Sequence, residues 1–306
     1  MELSKVFQRA LGIKPKDKVL VITDKIKMPL AKKVYSACLQ VSKNTKMVRK
    51  PVGVRSGEEP PKKIANMMKR NNVVIALTKH SLTHTNARRE ACKLGVKIAT
   101  MPGFTKEMWK TLEADPYQMN KVCEKIRKRL KKANIVRITT NSGTDITFSI
   151  KKRLVDIDDG LFIKRPRNFG NLPAGETSVS PTEGTANGVI TINSMEDYAK
   201  PGTYVVIKKG NAVYISDNKC KLAKTFKTVL NATNLAELGI GVNPTAKIIG
   251  NILQDEKVKG TCHLAFGSNL SYRGKIYSPF HLDAILLKPT IWLDNKLFMK
   301  EGKIIT

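Results

Sequence analysis

KVLVIT, residues 18–23, is a compact apolar run that predicts a buried β-strand. The segment after it, MPLAKKVYSACLQV (28–41), has its apolar residues at helical spacing. Two further apolar runs, NVVIALT (72–78) and VKIATM (96–101), stand on either side of a segment of helical pattern that ends at Gly95. This alternation of strands and helices predicts an α/β domain, an open and doubly wound parallel sheet covered by helices.

The pattern changes near residue 135. IVRITTNSGTDITFSI (135–150) contains two strand runs around the turn sequence NSGT, which is the signature of a β-hairpin. Further strand-like runs follow, and a helical pattern persists mainly in residues 221–234. A chain of 306 residues is also long for a single core. We therefore predict an α/β domain at residues 1–134 and a strand-rich α+β domain at residues 135–306.

The net charge is the outlier of the composition, since 55 Lys and Arg against 25 Asp and Glu give +30. Such an excess attracts polyanions at low salt, so nonspecific binding to nucleic acid is expected. The lysines are spread along the chain, and the sequence contains no aromatic RNA-binding motif, KH-type GxxG or Cys/His finger. A basic nucleic-acid-binding protein without enzymatic activity is therefore an alternative that rests on charge alone.

The cysteines and the apolar runs indicate the compartment. Five cysteines are scattered without a CxxC pair, which fits free thiols in a reducing cytoplasm better than a disulfide framework. The N-terminal residues lack the apolar core of a signal peptide. The longest apolar runs, such as AILL (284–287), are far shorter than the roughly 20 residues of a membrane span. We therefore expect a cytoplasmic protein that does not enter the membrane.

The run SPFHLDAIL, residues 278–286, places two polar side chains inside an apolar strand pattern. His281 and Asp283 are two positions apart, so on a strand they point to the same face. If that face is buried, both side chains need partners, and a metal ion is one such partner. The pair therefore provides the first candidate metal ligands.

Three more candidate ligands lie in glycine-rich or apolar segments of the same C-terminal half. Glu176 lies in FGNLPAGETSVSPTEGTANG (169–188), whose Gly, Pro, Ser and Thr content predicts a long loop. Glu237 lies in NLAELGIGVNP, where two glycines permit close approach of another backbone segment. His263 lies in GTCHLAFGSN. A lone carboxylate in such surroundings must be paired, protonated or bound to a metal.

Together the five residues combine three carboxylates and two imidazoles, a ligand set typical of Zn, Co, Mn or Fe(II). Two arrangements are open. All five could hold two ions, bridged by a carboxylate and by a water that they activate. Alternatively, Glu237, His281 and Asp283 could hold one ion with open positions for substrate and dioxygen.

Two histidines of the N-terminal half follow the predicted strand 72–78. His80 and His84 lie at its carboxyl end, where open α/β sheets place their binding crevice. Thr83 or Thr85 could simply cap the helix that follows, and the histidines could bond to loop carbonyls. Of the structural role and the role in the binding crevice, we choose the second for His84 and predict that it binds substrate.

Six segments together resemble the aminopeptidase T family of metallopeptidases. They occur in the order of that family and span most of the chain: SLTHTNARREACKLGVKIATMPG (81–103), GTDITFSI (143–150), NLPAGE (171–176), AELGIGVNP (236–244), CHLAFGSN (262–269) and HLD (281–283). The resemblance implies a metal-dependent aminopeptidase that removes N-terminal residues from short peptides through a metal-activated water. It also implies a divalent cofactor, namely Co, Zn or Mn and possibly two ions, and a homodimer.

Motif positions in that family assign roles to single residues. The metal ligands that the resemblance implies are Glu176, Glu237, His263, His281 and Asp283, the same set that their chemistry selects. The expected catalytic residues are Glu176 and Tyr272, and the expected substrate-binding residues are His84, Ser268 and Asn269.

One motif position departs from the family. The aminopeptidases carry a metal-site tyrosine seven residues after the first histidine, where this chain has Leu270, and Tyr272 follows two residues later. The wider superfamily includes 2,5-dihydroxypyridine 5,6-dioxygenase, which resembles these peptidases but uses one iron, held by residues that correspond to Glu237, His281 and Asp283. The departure therefore opens a second possible function, that of a mononuclear Fe(II) ring-cleaving dioxygenase.

Overall fold

The structure is a computed structural model of the chain and describes residues 2–163 and 168–305. Its α-helices are α1 (Leu3–Leu11), α2 (Met28–Val41), α3 (Lys62–Lys69), α4 (Asn86–Lys93), α5 (Pro116–Leu130), α6 (Lys221–Thr228) and α7 (Ile252–Asp255). Short 3₁₀ helices span Lys106–Glu113 and Leu270–Tyr272.

The strands are β1 (Val19–Thr23), β2 (Thr45–Arg49), β3 (Val73–Leu77), β4 (Lys97–Thr100), β5 (Ile135–Thr139), β6 (Asp145–Ser149), β7 (Val155–Asp158), β8 (Phe169–Asn171), β9 (Glu176–Val179), β10 (Asn187–Thr191), β11 (Tyr204–Lys208), β12 (Asn211–Ile215), β13 (Leu235–Gly241), β14 (Thr261–Gly267), β15 (His281–Leu287), β16 (Thr290–Leu293), β17 (Lys296–Lys300) and β18 (Lys303–Ile304).

The first sheet is parallel and has the strand order β2-β1-β3-β4-β8. Its central strands β1 and β3 are buried along their whole length. Side chains of α3 and α4 form one buried cluster with those of β1, β3 and β4. Covering helices require apolar residues on both faces of a parallel strand, which explains the continuous apolar runs. The predicted α/β fold with an open parallel sheet is confirmed.

Two antiparallel sheets follow. One has eight strands in the order β12-β11-β10-β6-β5-β16-β17-β18, and the other has five in the order β15-β14-β13-β9-β7. The predicted hairpin is present, since β5 and β6 pair antiparallel around the NSGT turn. The strand-rich α+β character of the C-terminal part is confirmed.

The described residues pack into two compact units. Residues up to 118 and those of the 158–174 stretch form the first unit, and residues 119–157 and those from 175 onward form the second. The first unit is therefore assembled from two separate pieces of the chain. The domain boundary after residue 134 stays a prediction of the sequence.

The segment 169–188 was expected to be a long loop, and this expectation was wrong. It contains β8 and β9 and the first residues of β10. β8 adds to the parallel sheet beside β4, and β9 pairs with β13. Both strands are only three or four residues long, and partners distant in sequence supply their hydrogen bonds. Local composition therefore favoured a loop where tertiary pairing makes strands.

None of the described helices has the length and apolarity of a membrane-spanning segment. All five cysteines are free, and Cys38, Cys123 and Cys262 are buried. The expectation of free thiols is confirmed.

Candidate metal centre

The candidate ligands lie on neighbouring strands of the five-stranded sheet: His281 and Asp283 on β15, His263 on β14, Glu237 on β13 and Glu176 on β9. Asp283 and Glu237 both pair with Ala265 of β14. His263 pairs with Gly239 of β13, and Glu176 pairs with Gly241. Side chains alternate between faces along a strand and share a face with their paired residues. The register therefore directs all five side chains to one face.

Two imidazoles and two carboxylates form a compact cluster on that face. Nε2 of His281 lies 3.1 Å from Oε2 of Glu237 and 3.8 Å from Oδ1 of Asp283. Nε2 of His263 lies 3.8 Å from the same Asp283 oxygen and 3.9 Å from Oε1 of Glu237. Donors about 2.1 Å from one ion are about 3 Å apart at right angles and about 4.2 Å apart when opposite. Glu237, His281 and Asp283 are therefore spaced as donors to one shared cation, whereas His263 belongs to two neighbouring groups, one with Glu176 and Glu237 and one with Glu256 and Asp283.

The hydrogen bonding of the cluster also fits a metal. Oδ1 of Asp283 is buried and has no hydrogen-bond partner among the described residues. Nδ1 of His281 lies 2.8 Å from the carbonyl oxygen of Ser268, so the proton of the neutral ring belongs on Nδ1. Nε2 is then left to bind a cation, as in metal sites whose histidines are oriented by a carbonyl. Carboxylates and imidazoles together suit Zn, Mn or Fe(II).

Glu176 lies at the margin of this cluster, next to a buried lysine. Its Oε2 is 3.4 Å from Nε2 of His263, and its Oε1 is 2.5 Å from Nζ of Lys257. The same ammonium group is 2.6 Å from Oε1 of Glu256. Lys257 is fully buried. Lys257 and Glu256 were not predicted as site residues, because the charged run QDEKVKG (254–260) has the composition of a solvated loop.

Two glycines of β13 make room for the neighbouring segments. A Cβ at Gly239 would lie 2.0 Å from Nε2 of His263, and a Cβ at Gly241 would lie 2.2 Å from the carbonyl oxygen of Val258. The imidazole of His263 therefore lies directly over the backbone of β13, and the chain next to Lys257 lies against it. The predicted close approach at these glycines is confirmed.

Charges within the cluster control its protonation. Burial alone would lower the pKa of His281, but the hydrogen bond with Glu237 and the charges of Asp283 and Glu237 raise this pKa to about 9. Burial would raise the pKa of Glu237, yet hydrogen bonds with His263 and His281 hold it well below its usual range. The carboxylates therefore stabilise positive charge at this face, and they would stabilise a bound divalent cation in the same way.

Tyr272 lies beside the cluster. Its ring stacks on the imidazole of His281, with the centroids 5.6 Å apart and 27° between the planes. Burial and the negative charge of Glu237 raise the pKa of the phenol well above its ordinary value, so the hydroxyl keeps its proton. Leu270, at the position where the aminopeptidases carry tyrosine, is 48% exposed. The 3₁₀ turn thus places Tyr272, and not Leu270, against the histidine.

Ser268 and Asn269 lie in the loop between β14 and β15. The carbonyl of Ser268 accepts the imidazole hydrogen bond described above. Asn269 is fully buried, and its Nδ2 donates to Oε1 of Glu183 at 2.9 Å. Its Oδ1 accepts a hydrogen bond from the backbone N of Ile276 at 2.8 Å. Substrate binding by both residues stays a prediction, and the observed bonds show that they order the loop that carries Tyr272.

His84 belongs to the first unit, whereas the five candidate ligands belong to the second. It is exposed and lies in the turn before α4. Thr85 caps that helix, since its Oγ1 accepts a hydrogen bond from the backbone N of Arg88 at 3.2 Å. The role of His84 in substrate binding stays a prediction.

Comparison with known proteins places this geometry in a family. The family model of 2,5-dihydroxypyridine 5,6-dioxygenase (NicX) matches residues 12–306. The solved structure of 2,5-dihydroxypyridine dioxygenase from Pseudomonas putida KT2440 has a TM-score of 0.83 at 16% identity, over 99% of this chain and 97% of that one. AmpT from Thermus thermophilus has a TM-score of 0.69 at 15% identity, over 100% and 99%. No curated protein sequence matches significantly.

These findings correct the expected activity. The prediction of an aminopeptidase, and with it of a protease or hydrolase, was wrong, because the matching family is one of dioxygenases. The alternative of a basic protein without enzymatic activity is set aside by the same match. Four of the six motifs that suggested a peptidase, at 171–176, 236–244, 262–269 and 281–283, carry the candidate ligands, and such a donor set can serve hydrolysis or oxygen chemistry. The chain shares its fold with AmpT. Because the family model covers nearly the whole chain, the protein belongs to the 2,5-dihydroxypyridine 5,6-dioxygenase family.

Proposed function

We propose that the protein is a mononuclear Fe(II) dioxygenase that opens the ring of a dihydroxypyridine or of a closely related dihydroxylated ring. The observation that carries the proposal is the cluster of Glu237, His281 and Asp283, with His263 beside it, in a chain of a dioxygenase family. Imidazole nitrogens and carboxylate oxygens are the donors that non-haem Fe(II) oxygenases use.

The chain's own residues prepare the site for the ion. The carbonyl of Ser268 orients His281 so that Nε2 points to Glu237 and Asp283. Gly239 lets His263 approach from the neighbouring strand. When bound, Fe(II) supplies the redox chemistry by which a dihydroxylated ring reacts with dioxygen, and both oxygen atoms enter the opened product.

Two further residues act on the substrate in this proposal. Tyr272 keeps its phenolic proton at neutral pH, so its hydroxyl donates a hydrogen bond to an anionic ring oxygen. Its stacked ring also limits the access of water to His281. Glu176, held by Lys257, presents a carboxylate oxygen beside His263 and accepts the proton of a ring hydroxyl.

Oxygen uptake tests the proposal. The protein is stripped with a chelator, loaded with Fe(II) without air, and mixed with 2,5-dihydroxypyridine in an oxygen electrode. We expect the consumption of about one dioxygen per ring, together with loss of the ring's ultraviolet absorbance. His281→Ala and Glu237→Gln should abolish both signals. Glu301→Gln, an exposed carboxylate of the same unit, is the matched control and should leave them unchanged.

The panel should include related dihydroxylated pyridines and benzenes, because pocket shape selects the ring. The proposal would be ruled out if folded, iron-loaded protein consumed oxygen at the same rate with and without each compound of the panel.

A further inference from the structure

The candidate metal centre has more ligand side chains than one ion requires. Among the described residues, three overlapping groups have ligand atoms within 4.8 Å of one another: Glu237 with His281 and Asp283, Glu176 with Glu237 and His263, and Glu256 with His263 and Asp283. Six side chains of this kind are enough for a two-ion site. The structure therefore raises the question of how many cations this face holds.

We propose that Lys257 is a built-in cation that takes the place of a second metal ion, so that the face holds one ion per chain. The inference deepens the proposed function and rests on its metal site. Its ammonium group lies 2.5 Å from Glu176 and 2.6 Å from Glu256. Each of these carboxylates belongs to one of the two groups that share His263. Lys257 thus binds one carboxylate from each of the two groups.

Within the described part of the chain, the salt bridges of Lys257 reach Glu176 and Glu256, and neither belongs to the group of Glu237, His281 and Asp283. A divalent ion that approached Glu176 or Glu256 would meet the positive charge of Lys257 without intervening water, since the lysine is fully buried. Repulsion between like charges is strong where water cannot screen it. The open group is therefore the place where the ion binds.

The backbone prevents Lys257 from leaving this position. Its N–H donates to the carbonyl of Gln254 at 2.9 Å, and its carbonyl accepts from the N–H of Asn243 at 2.8 Å. Gly241 lets the following residue, Val258, lie against β13, where any Cβ would be 2.2 Å from its carbonyl oxygen. The side chain therefore starts from a turn whose backbone is fixed beside β13, unlike a lysine on a solvated loop.

Counting metal ions tests the proposal without recourse to activity. Metal-free protein is mixed with a tenfold excess of Zn(II), or of Fe(II) without air, and native mass spectrometry counts the ions on the folded species. We expect about one ion per chain in the unmodified protein. Lys257→Met, which keeps the length of the side chain but not its charge, should bind about two. Lys257→Arg keeps the charge and should stay at about one.

Two results would overturn the proposal: two ions per chain in the unmodified protein, or one ion in folded Lys257→Met. Native mass spectra separate compact from unfolded species, so the ions can be counted even if only a small fraction of the variant folds. Lys257→Gln serves as a second variant without the positive charge. The count is independent of oxygen uptake. One ion without ring-dependent uptake would defeat the proposed function alone, whereas two ions with uptake would defeat only the role of Lys257.

Discussion

Gly239 is the position at the metal centre that least tolerates an added side chain. A methyl group there would lie 2.0 Å from Nε2 and 2.1 Å from Cε1 of His263, so the ring must shift from its place beside Glu237 and Asp283. We expect Gly239→Ala to weaken the binding of Zn(II) or Fe(II) by about ten- to a hundredfold, the usual effect of disturbing residues that support the ligands. Isothermal titration of the metal-free variant measures the change.

The matched control for this substitution is Gly53→Ala. The nearest atom to a Cβ at Gly53 is Oε2 at the end of the Glu58 side chain, at 3.0 Å. This variant should bind metal like the unmodified protein. Equal affinities for Gly239→Ala and Gly53→Ala would mean that the position of His263 has no influence on the bound ion.

The protonation of His281 predicts a pH dependence. In metal-free protein its pKa is about 9, above its ordinary value of 6.5. A raised folded-state pKa gives stability that is complete below 6.5 and is lost as the pH rises through about 9. We expect the free energy of unfolding of metal-free protein to fall by up to about 3 kcal/mol over this range. Urea denaturation at a series of pH values in the presence of a chelator measures it.

His281→Asn should flatten that pH profile, since the substituted side chain does not titrate. Metal binding should show the opposite trend, because the ion must displace a proton from the ring, and affinity should rise with pH. A profile that is equally steep in the variant would assign the effect to other groups.

At the scale of single residues, the sequence predicted the candidate metal ligands better than the residues that surround them. His281 and Asp283 were identifiable because two polar residues interrupt an apolar strand at a spacing of two, and the register of β14 and β15 confirms their common face. Tyr272 was identifiable only as a neighbour of Leu270. Lys257 was not identifiable, since its burial depends on contacts with β9 and β13 that no local pattern encodes.

At the scale of elements, long periodic segments were predicted best. The helix predicted at 28–41 is α2, with the same bounds. β8 and β9 were missed because they are short and their hydrogen bonds come from distant strands. Periodicity is a property of one segment, whereas the existence of these two strands depends on the partners that the fold supplies.

The loop between β14 and β15 gives a prediction for Asn269. Its removal leaves the N–H of Ile276 unpaired and takes one donor from Glu183. We expect Asn269→Ala to lower the free energy of unfolding by about 1–3 kcal/mol. Ring-dependent oxygen uptake should also fall, because Tyr272 is no longer held over His281, while the metal content stays the same.

Chemical denaturation, metal analysis and the oxygen electrode together measure these effects. The exposed Asn218→Ala is the matched control and should change none of them. Loss of metal from Asn269→Ala would show instead that the loop supports the ligands and not the phenol.

At the scale of the whole molecule, the charge of +30 predicts weak and nonspecific attraction to polyanions. Fluorescence anisotropy with a labelled single-stranded RNA should show binding at about 20 mM salt that is lost near about 150 mM, because released counterions drive such contacts. Binding that persists at the higher salt and prefers one sequence would point to a dedicated nucleic-acid site. The homodimer remains a prediction that the sedimentation of the purified protein can test.

The return of β8 to the parallel sheet has a consequence for dissecting the molecule. A fragment truncated at residue 134 would lack that strand, which arrives only at Phe169–Asn171, and β4 would become a bare edge. Exposed edges of this kind recruit other chains and promote aggregation. A soluble version of the first unit would therefore need its two pieces rejoined by a designed linker, and expression trials that simply shorten the gene should yield inclusion bodies.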